Sequence, residues 1–307
     1  MNIKRLSHAA LLCAVFAGGS TPHADEKPAK ESTPSAAPKA EIKTRLATKT
    51  EWASGLKEPQ GMAIDGKGNI LLADYGAGKI LRYSRSGKLL GTLAEGLKSP
   101  TQIVVGIRNV SIKSKSHSLK TVETIYVSER KANRVIKISP SGKISPVGQA
   151  IEEPLGLAYG PKSELFAVSH TTSKIYHFDG MQWHLIFAAP LEAGDDKRYG
   201  YRCLTFEDGA FLMSDEVGEQ VVMLTPNGRL ATWAKGIAAP SGITIGPDGF
   251  TYVTDESEGG RLYRVNNLGE KTIVAEGLGR PRGVLFLDAK TVLVSDRNGK
   301  VWKLVLP

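Results

Sequence analysis

The sequence predicts an all-β fold, a six-bladed β-propeller of four-stranded antiparallel blades closed by the N-terminal strand completing the last blade. Three observations lead there. The phrase GLKEPQG at 55–61 returns as GLKSPTQ at 96–102, AIEEPLG at 150–156, GIAAPSG at 236–242 and GLGRPRG at 277–283. Its prolines, Pro59, Pro100, Pro154, Pro240 and Pro281, stand 41, 54, 86 and 41 residues apart. A step near 40 is the length of one blade, so 86 holds two blades and 54 holds one with an insertion. Between prolines, short apolar runs alternate with Gly, Asn and Asp turns, which gives strands joined by tight hairpins. No segment of helical length and period interrupts them.

The elements follow in chain order. Residues 1–24 carry Lys4 and Arg5 ahead of an apolar run from Ala9 to Phe16 and then small residues, the pattern of a secretory signal peptide cut after Ser20 or Ala24. Cys13 raises a lipoprotein alternative, but Leu11 and Leu12 precede it where small residues are wanted. Residues 25–44, rich in Pro, Ala, Lys and Glu, read as a flexible linker, and 45–307 as the propeller. In the first blade GMAI, ILLAD, ILRYS and LLGTLAE are the four strands. The second strands of the six blades align at their ends as Asp74, Glu129, His170, Asp215, Asp255 and Asp296. The turns between third and fourth strands align at Gly87, Gly142, Gly180, Gly228 and Gly269. Blade two carries the insertion, near 106–120, and blade four opens on a degenerate copy at Tyr199-Gly200-Tyr201. The last blade stops at VWKLVLP; RLATKTEWASGLKEP at 45–59 supplies its fourth strand, by likeness to GRLATWAKGIAAP at 228–240, read as the outer strand of blade five.

PQGMAIDGKGNILLADYGAGKI, PSGITIGPDGFTYVTDESEGGRL and PRGVLFLDAKTVLVSDRNGKV resemble the NHL repeat, a likeness that spans 45–307. The resemblance implies a six-bladed propeller related to the gluconolactonase-like and strictosidine-synthase-like superfamily. Similar propellers serve as lactonases, lyases, RNA binders and protein-binding modules, so the likeness fixes architecture more than function. Gluconolactonase-like enzymes hold a divalent cation in the channel with Glu, Asn and Asp side chains. Here the residues after the opening prolines are Gln60, Thr101, Leu155, Ser241 and Arg282, with Arg202 in that place in blade four. Two arginines without a facing acid do not support calcium, and no cofactor is expected. A zinc set of several histidines fails as well, because His177 and His184 fall in outer strands and His117 in the insertion. The aligned acids are expected to cap the loops that follow them, with Lys79, Arg134, Arg261 or Lys300 nearby.

Charge is uneven. The chain carries a formal +9, but residues 96–149 alone hold 10 basic against 2 acidic residues. This is a local patch on blade two. No aromatic residue interleaves RNVSIKSKSHSLK, and with export this excludes nucleic acid; an anionic envelope surface is the partner expected for 106–120. The sole cysteine past the signal segment, Cys203, lies in the apolar alternation YRCLTF and reads as a buried thiol.

In a propeller, first strands start at the face where second strands end. That face should gather Gln60, Gln102, Glu129, Arg202, Ser241 and Arg282 as ligand-binding residues, with His170 as the base if there is catalysis. Two guanidinium groups with amide and hydroxyl partners suit an anionic or polyhydroxylated ligand. The expectation is a periplasmic or secreted monomer that binds a small molecule or a partner protein. The alternative is a gluconolactonase-like hydrolase, a lactonase, or a lyase acting at the central channel.

Overall fold

The computed structural model describes residues 46–112, 118–139, 141–160, 163–189, 200–207 and 209–307. The expected signal peptide, its cleavage positions and the 25–44 linker lie outside these residues. The described chain forms six four-stranded antiparallel sheets. In chain order, β1 (Thr48–Ala53) precedes blade one, which is β2 (Pro59–Ile64), β3 (Ile70–Asp74), β4 (Lys79–Tyr83) and β5 (Leu89–Ala94). Blade two is β6 (Pro100–Ile112), β7 (Ser118–Glu129), β8 (Arg134–Ile138) and β9 (Ile144–Pro146). Blade three is β10 (Pro154–Tyr159), β11 (Leu165–Ser169), β12 (Lys174–Phe178) and β13 (Trp183–Ala188). Blade four is β14 (Tyr201–Glu207), β15 (Ala210–Asp215), β16 (Gln220–Leu224) and β17 (Leu230–Lys235). Blade five is β18 (Pro240–Ile245), β19 (Thr251–Asp255), β20 (Arg261–Val265) and β21 (Lys271–Ala275). Blade six has β22 (Pro281–Phe286), β23 (Thr291–Asp296) and β24 (Lys300–Val305), with β1 paired antiparallel to β24.

One assignment shifts. Residues 230–235 are the outer strand of blade four, paired to β16, and not of blade five. Blade four, opened by β14, is closed by this strand, and the strands after it keep the places that the aligned second strands give them.

First strands touch their neighbours in a closed series, β2 to β6 to β10 to β14 to β18 to β22 and back to β2. They therefore surround the channel. The apolar cores lie between adjacent blades, because both faces of each sheet are covered. Ala73, Ile80, Ile125 and Ile136 join blades one and two, and Leu72, Tyr83, Leu293 and Trp52 join blades six and one.

Each first strand begins with a register shift, between Pro59 and Met62 in blade one and between Pro281 and Val284 in blade six. A bulge re-aims the side chain inside it, and here it turns the residue after each opening position to the channel. In four blades a glycine follows, Gly61, Gly156, Gly242 or Gly283, and it permits close packing of neighbouring first strands. A Cβ on Gly61 would meet the Thr101 carbonyl at 2.6 Å, and one on Gly283 the Gln60 carbonyl at 2.5 Å.

Candidate functional site

Two rings of residues build one end of the channel. The first comprises the bulge residues, and Gln60, Thr101, Gln102, Arg202, Ser241 and Arg282 line one throat of about 30 Å³. That is room for about one water molecule. The structure thus brings together five of the seven residues singled out in the sequence. Glu129 and His170 stand differently.

Glu129 is fully buried, accepts the Lys98 N–H at 2.7 Å and pairs with Arg134 Nε at 2.6 Å. It caps its loop and does not face the channel. The other aligned acids do the same work. Asp74 accepts from the Lys57 and Glu58 N–H groups at 3.1 and 3.0 Å, Asp255 from Ala239 and Ser257, both at 3.0 Å, and Asp296 from Arg280 and Asn298 at 2.9 and 3.0 Å. Of the basic residues expected beside them, Arg134 does pair with its acid. Lys79 and Lys300 instead pair with Glu95, just past β5, and with Glu51 on β1, at 3.5 and 2.9 Å.

His170 does not replace one of these acids. Across blade three it is Ser169 that faces Pro154, as Asp74 faces Pro59 and Asp296 faces Pro281. Ser169 Oγ accepts the Thr172 hydroxyl at 2.7 Å, which takes over the local capping. His170 is one residue further along and belongs to a second ring, with Tyr75, Arg130, Glu216, Glu256 and Arg297. Each of these donates its backbone N–H to the carbonyl just before a blade opens, from 2.9 Å for Glu256 to 3.2 Å for His170. The sequence contained the signal, since each member directly follows an aligned capping residue.

The second ring supplies the counter-charges of the first. Glu216 receives Arg202 Nε at 2.6 Å and also Nη2, and His170 Nε2 lies 3.6 Å from the same carboxylate. Burial pushes the Glu216 carboxyl up, but the nearby His170 ring and the Arg202 guanidinium outweigh it and hold the group at about 2. Glu256 takes Arg282 at 2.5 Å and Arg280 at 2.7 Å, with Arg297 at 3.6 Å. Arg282 is 7% exposed, and among the described residues its Nε has no hydrogen-bond partner. Burial, then the like charge of Arg202, bring its guanidinium down to about 10 against the pull of Glu256. A buried cation with an unmet donor favours an anion beside it.

A further repeated device fixes these residues. In four blades the residue before the capping acid carries a hydroxyl: Ser128, Ser214, Thr254 and Ser295. Each accepts a first-strand N–H of its own blade and donates to the first-strand carbonyl of the next. Thr254 Oγ1 accepts Gly242 N–H at 2.7 Å and donates to the Arg282 carbonyl at 2.7 Å; Ser295 does so for Gly283 and Gln60 at 2.7 and 2.6 Å. Each hydroxyl ties two blades at the throat. The motifs YVSE, LMSD, YVTD and LVSD announce it.

Cys203 lies in the throat wall, buried, and burial pushes its thiol up. Among the described residues no group of three or more His, Cys, Asp or Glu side chains is placed to hold a metal ion.

With this geometry in view, comparison with solved structures gives a consistent answer. The chain shares its fold with propeller enzymes. Virginiamycin B lyase from Staphylococcus aureus is 17% identical, with a TM-score of 0.61 over 85% of this chain and 99% of that one. A gluconolactonase from Xanthomonas campestris is 11% identical, with a TM-score of 0.68 over 88% and 93%. A luciferin-regenerating enzyme is 11% identical, with a TM-score of 0.61 over 84% and 95%. No family model and no curated protein matches the sequence. At these identities the likeness is one of fold.

Proposed function

We propose that the channel mouth binds a small anionic ligand, with its charge between Arg202 and Arg282. The observation that carries this is the unpartnered Nε of the buried Arg282, with a second guanidinium on the same ring. Gln60, Gln102 and Ser241 add amide and hydroxyl groups that suit the polar remainder of a sugar acid or related molecule. The reading includes export to the periplasm or medium, supported by Lys4, Arg5 and the apolar run after them.

A second reading is hydrolysis or elimination at the same mouth, with His170 as base and Glu216 orienting it. The 3.6 Å approach of these two groups favours it, as does the company of lyase and lactonase folds. Titration calorimetry with carboxylates, sugar acids and phosphate tests the first reading; Arg282→Gln should weaken binding at least tenfold. A lactone and ester panel, with and without Ca²⁺, Mg²⁺ or Zn²⁺, tests the second. Turnover lost in His170→Gln supports the enzyme; anion binding without turnover supports the binder. Anion affinity unchanged in Arg282→Gln removes the proposed site.

A further inference from the structure

Blade two has the shortest outer strand. β9 spans three residues, whereas β1, β5, β13, β17 and β21 span five or six. Where it stops, at Pro146, a cavity of about 630 Å³ lies between blades two and three, within the range that holds small ligands. The turn between the third and fourth strands of blade three faces this space. In blades one and two a Cβ on the matching glycine would meet the outer strand of the preceding blade, Gly87 at the Trp52 carbonyl, 2.5 Å, and Gly142 at the Leu93 carbonyl, 2.9 Å. Gly180 of blade three has nothing within 4 Å, as has Gly228 of blade four.

Strand register sets what lines the cavity. Tyr126 on β7 and Lys137 on β8 are cross-strand partners and form the blade-two wall. Tyr159, Leu165 and Phe178 are successive partners where β10 ends, β11 begins and β12 ends, on the face opposite the mouth. The Tyr126 and Tyr159 rings meet edge to face, 5.9 Å between centres, so aromatic surface joins the two walls.

Four titratable or charged side chains other than tyrosine share this lining: Lys137, Glu164, His177 and Asp179. Asp179 is occupied. It accepts the Met181 and Gln182 N–H groups at 2.7 and 2.8 Å and pairs with His184 at 2.7 Å, contacts that hold its carboxyl well below the usual carboxylate range. His177 packs on Phe166, 5.1 Å between ring centres. The ion pairs of blades two and three are Arg130 with Glu153, Arg134 with Glu129, His184 with Asp179, and His170 with Glu216 of blade four. Among the described residues, Lys137 and Glu164 belong to none and do not meet each other. A cation and an anion left unpaired in one aromatic-walled cavity suit a ligand that carries both charges.

We propose that this cleft binds a small zwitterion with an aromatic side chain, a free α-amino acid or a dipeptide. The carboxylate turns to Lys137, the ammonium to Glu164, and the side chain lies against Tyr126 and Phe178. The site is separate from the mouth, with which it shares no lining residue.

The test is titration calorimetry of the full chain with phenylalanine, with phenylpropionate, which lacks the ammonium, and with phenethylamine, which lacks the carboxylate. Phenylalanine should bind tightest, and alanine at least about tenfold more weakly than phenylalanine. Lys137→Met should weaken phenylalanine and phenylpropionate about threefold to tenfold without weakening phenethylamine. Glu164→Gln should weaken phenylalanine and phenethylamine to a similar extent without weakening phenylpropionate. Tyr126→Ala should weaken all three, with the fold retained by circular dichroism. Each titration is repeated in Arg282→Gln, which weakens the mouth; the pattern should persist there, so failure of one site does not imply failure of the other. Phenylalanine binding that is absent, or that survives unchanged in both charge variants, overturns the site. Charge variants that weaken all three compounds alike overturn the assignment of the two charges. Binding of glucose or maltose without binding of phenylalanine overturns the proposal in favour of a neutral sugar.

Discussion

Arg202 holds Glu216 through both Nε and Nη2, and His170 reaches the same carboxylate from the preceding blade at 3.6 Å. The three side chains act as one unit, in which the carboxylate both orients and partly neutralises Arg202. Glu216→Gln keeps the shape and removes the charge. The mouth then becomes more positive, and binding of a small carboxylate should tighten threefold to tenfold, about 1 kcal/mol, by calorimetry. Weaker binding would show that Glu216 serves chiefly to position the guanidinium.

The same carboxylate contributes to acid sensitivity. Its folded value is about 2 against 4.5 for the free side chain, so the native state favours the charged form. A depressed carboxyl stabilises above the unfolded value, and that contribution is lost as pH falls through the folded one. Wild type should therefore exceed Glu216→Gln in urea stability by about 1–2 kcal/mol at pH 6, after allowance for solvent screening, with the gap closing between pH 4.5 and 2. A gap that persists at pH 2 would assign the difference to packing.

The inter-blade hydroxyls give a stability prediction. Thr254 is fully buried and serves both the Gly242 N–H and the Arg282 carbonyl. Thr254→Val leaves a donor and an acceptor unmet in a dry site, which should cost about 2–4 kcal/mol, whereas Thr254→Ser should cost less than about 1.5 kcal/mol. Denaturant midpoints of the two variants read this directly. Because Arg282 is tied through its carbonyl, the valine variant should also weaken anion binding.

These tests show which parts of the molecule were legible in the sequence. The blade count was, because proline, glycine and the capping acid recur at fixed offsets. The first ring was as well, because the bulge follows each opening proline and faces the next residue inward. His170 was misplaced because residue types were aligned in place of strand register. Blade three reaches its capping position one residue earlier, at Ser169, and period-two geometry turns that single step into a different ring. Glu129 looked like a site acid since its burial depends on the Lys98 N–H and Arg134, which pattern does not reveal. Glu216 and Glu256 went unremarked because their partners, Arg202 and Arg282, lie 14 and 26 residues away and meet them only in three dimensions.

The last prediction concerns the pairing of β1 with β24. Thr48 to Glu51 face Val305 to Trp302, and Lys49 Nζ donates to the Gly277 carbonyl at 2.6 Å. Trp52, 9% exposed, packs against Tyr83 at 5.2 Å between ring centres and donates its indole N–H to the Arg85 carbonyl at 3.1 Å. This segment therefore contacts blade one as well as blade six. If it closes the ring, deleting 45–54 exposes the β24 edge and uncovers apolar surface that includes Tyr83 and Val301. That protein should aggregate on refolding, while deletion of 25–42, a stretch rich in Pro, Ala, Lys and Glu with almost no large apolar side chain, should leave the melting temperature within a degree or so. Trp52→Ala separates the two contributions, with a loss of about 3–5 kcal/mol for the side chain alone and the strand pairing left in place. Light scattering and melting curves of the three proteins decide the matter. Equal melting temperatures for the two deletions would mean that three strands suffice for blade six and that β1 is an accessory edge.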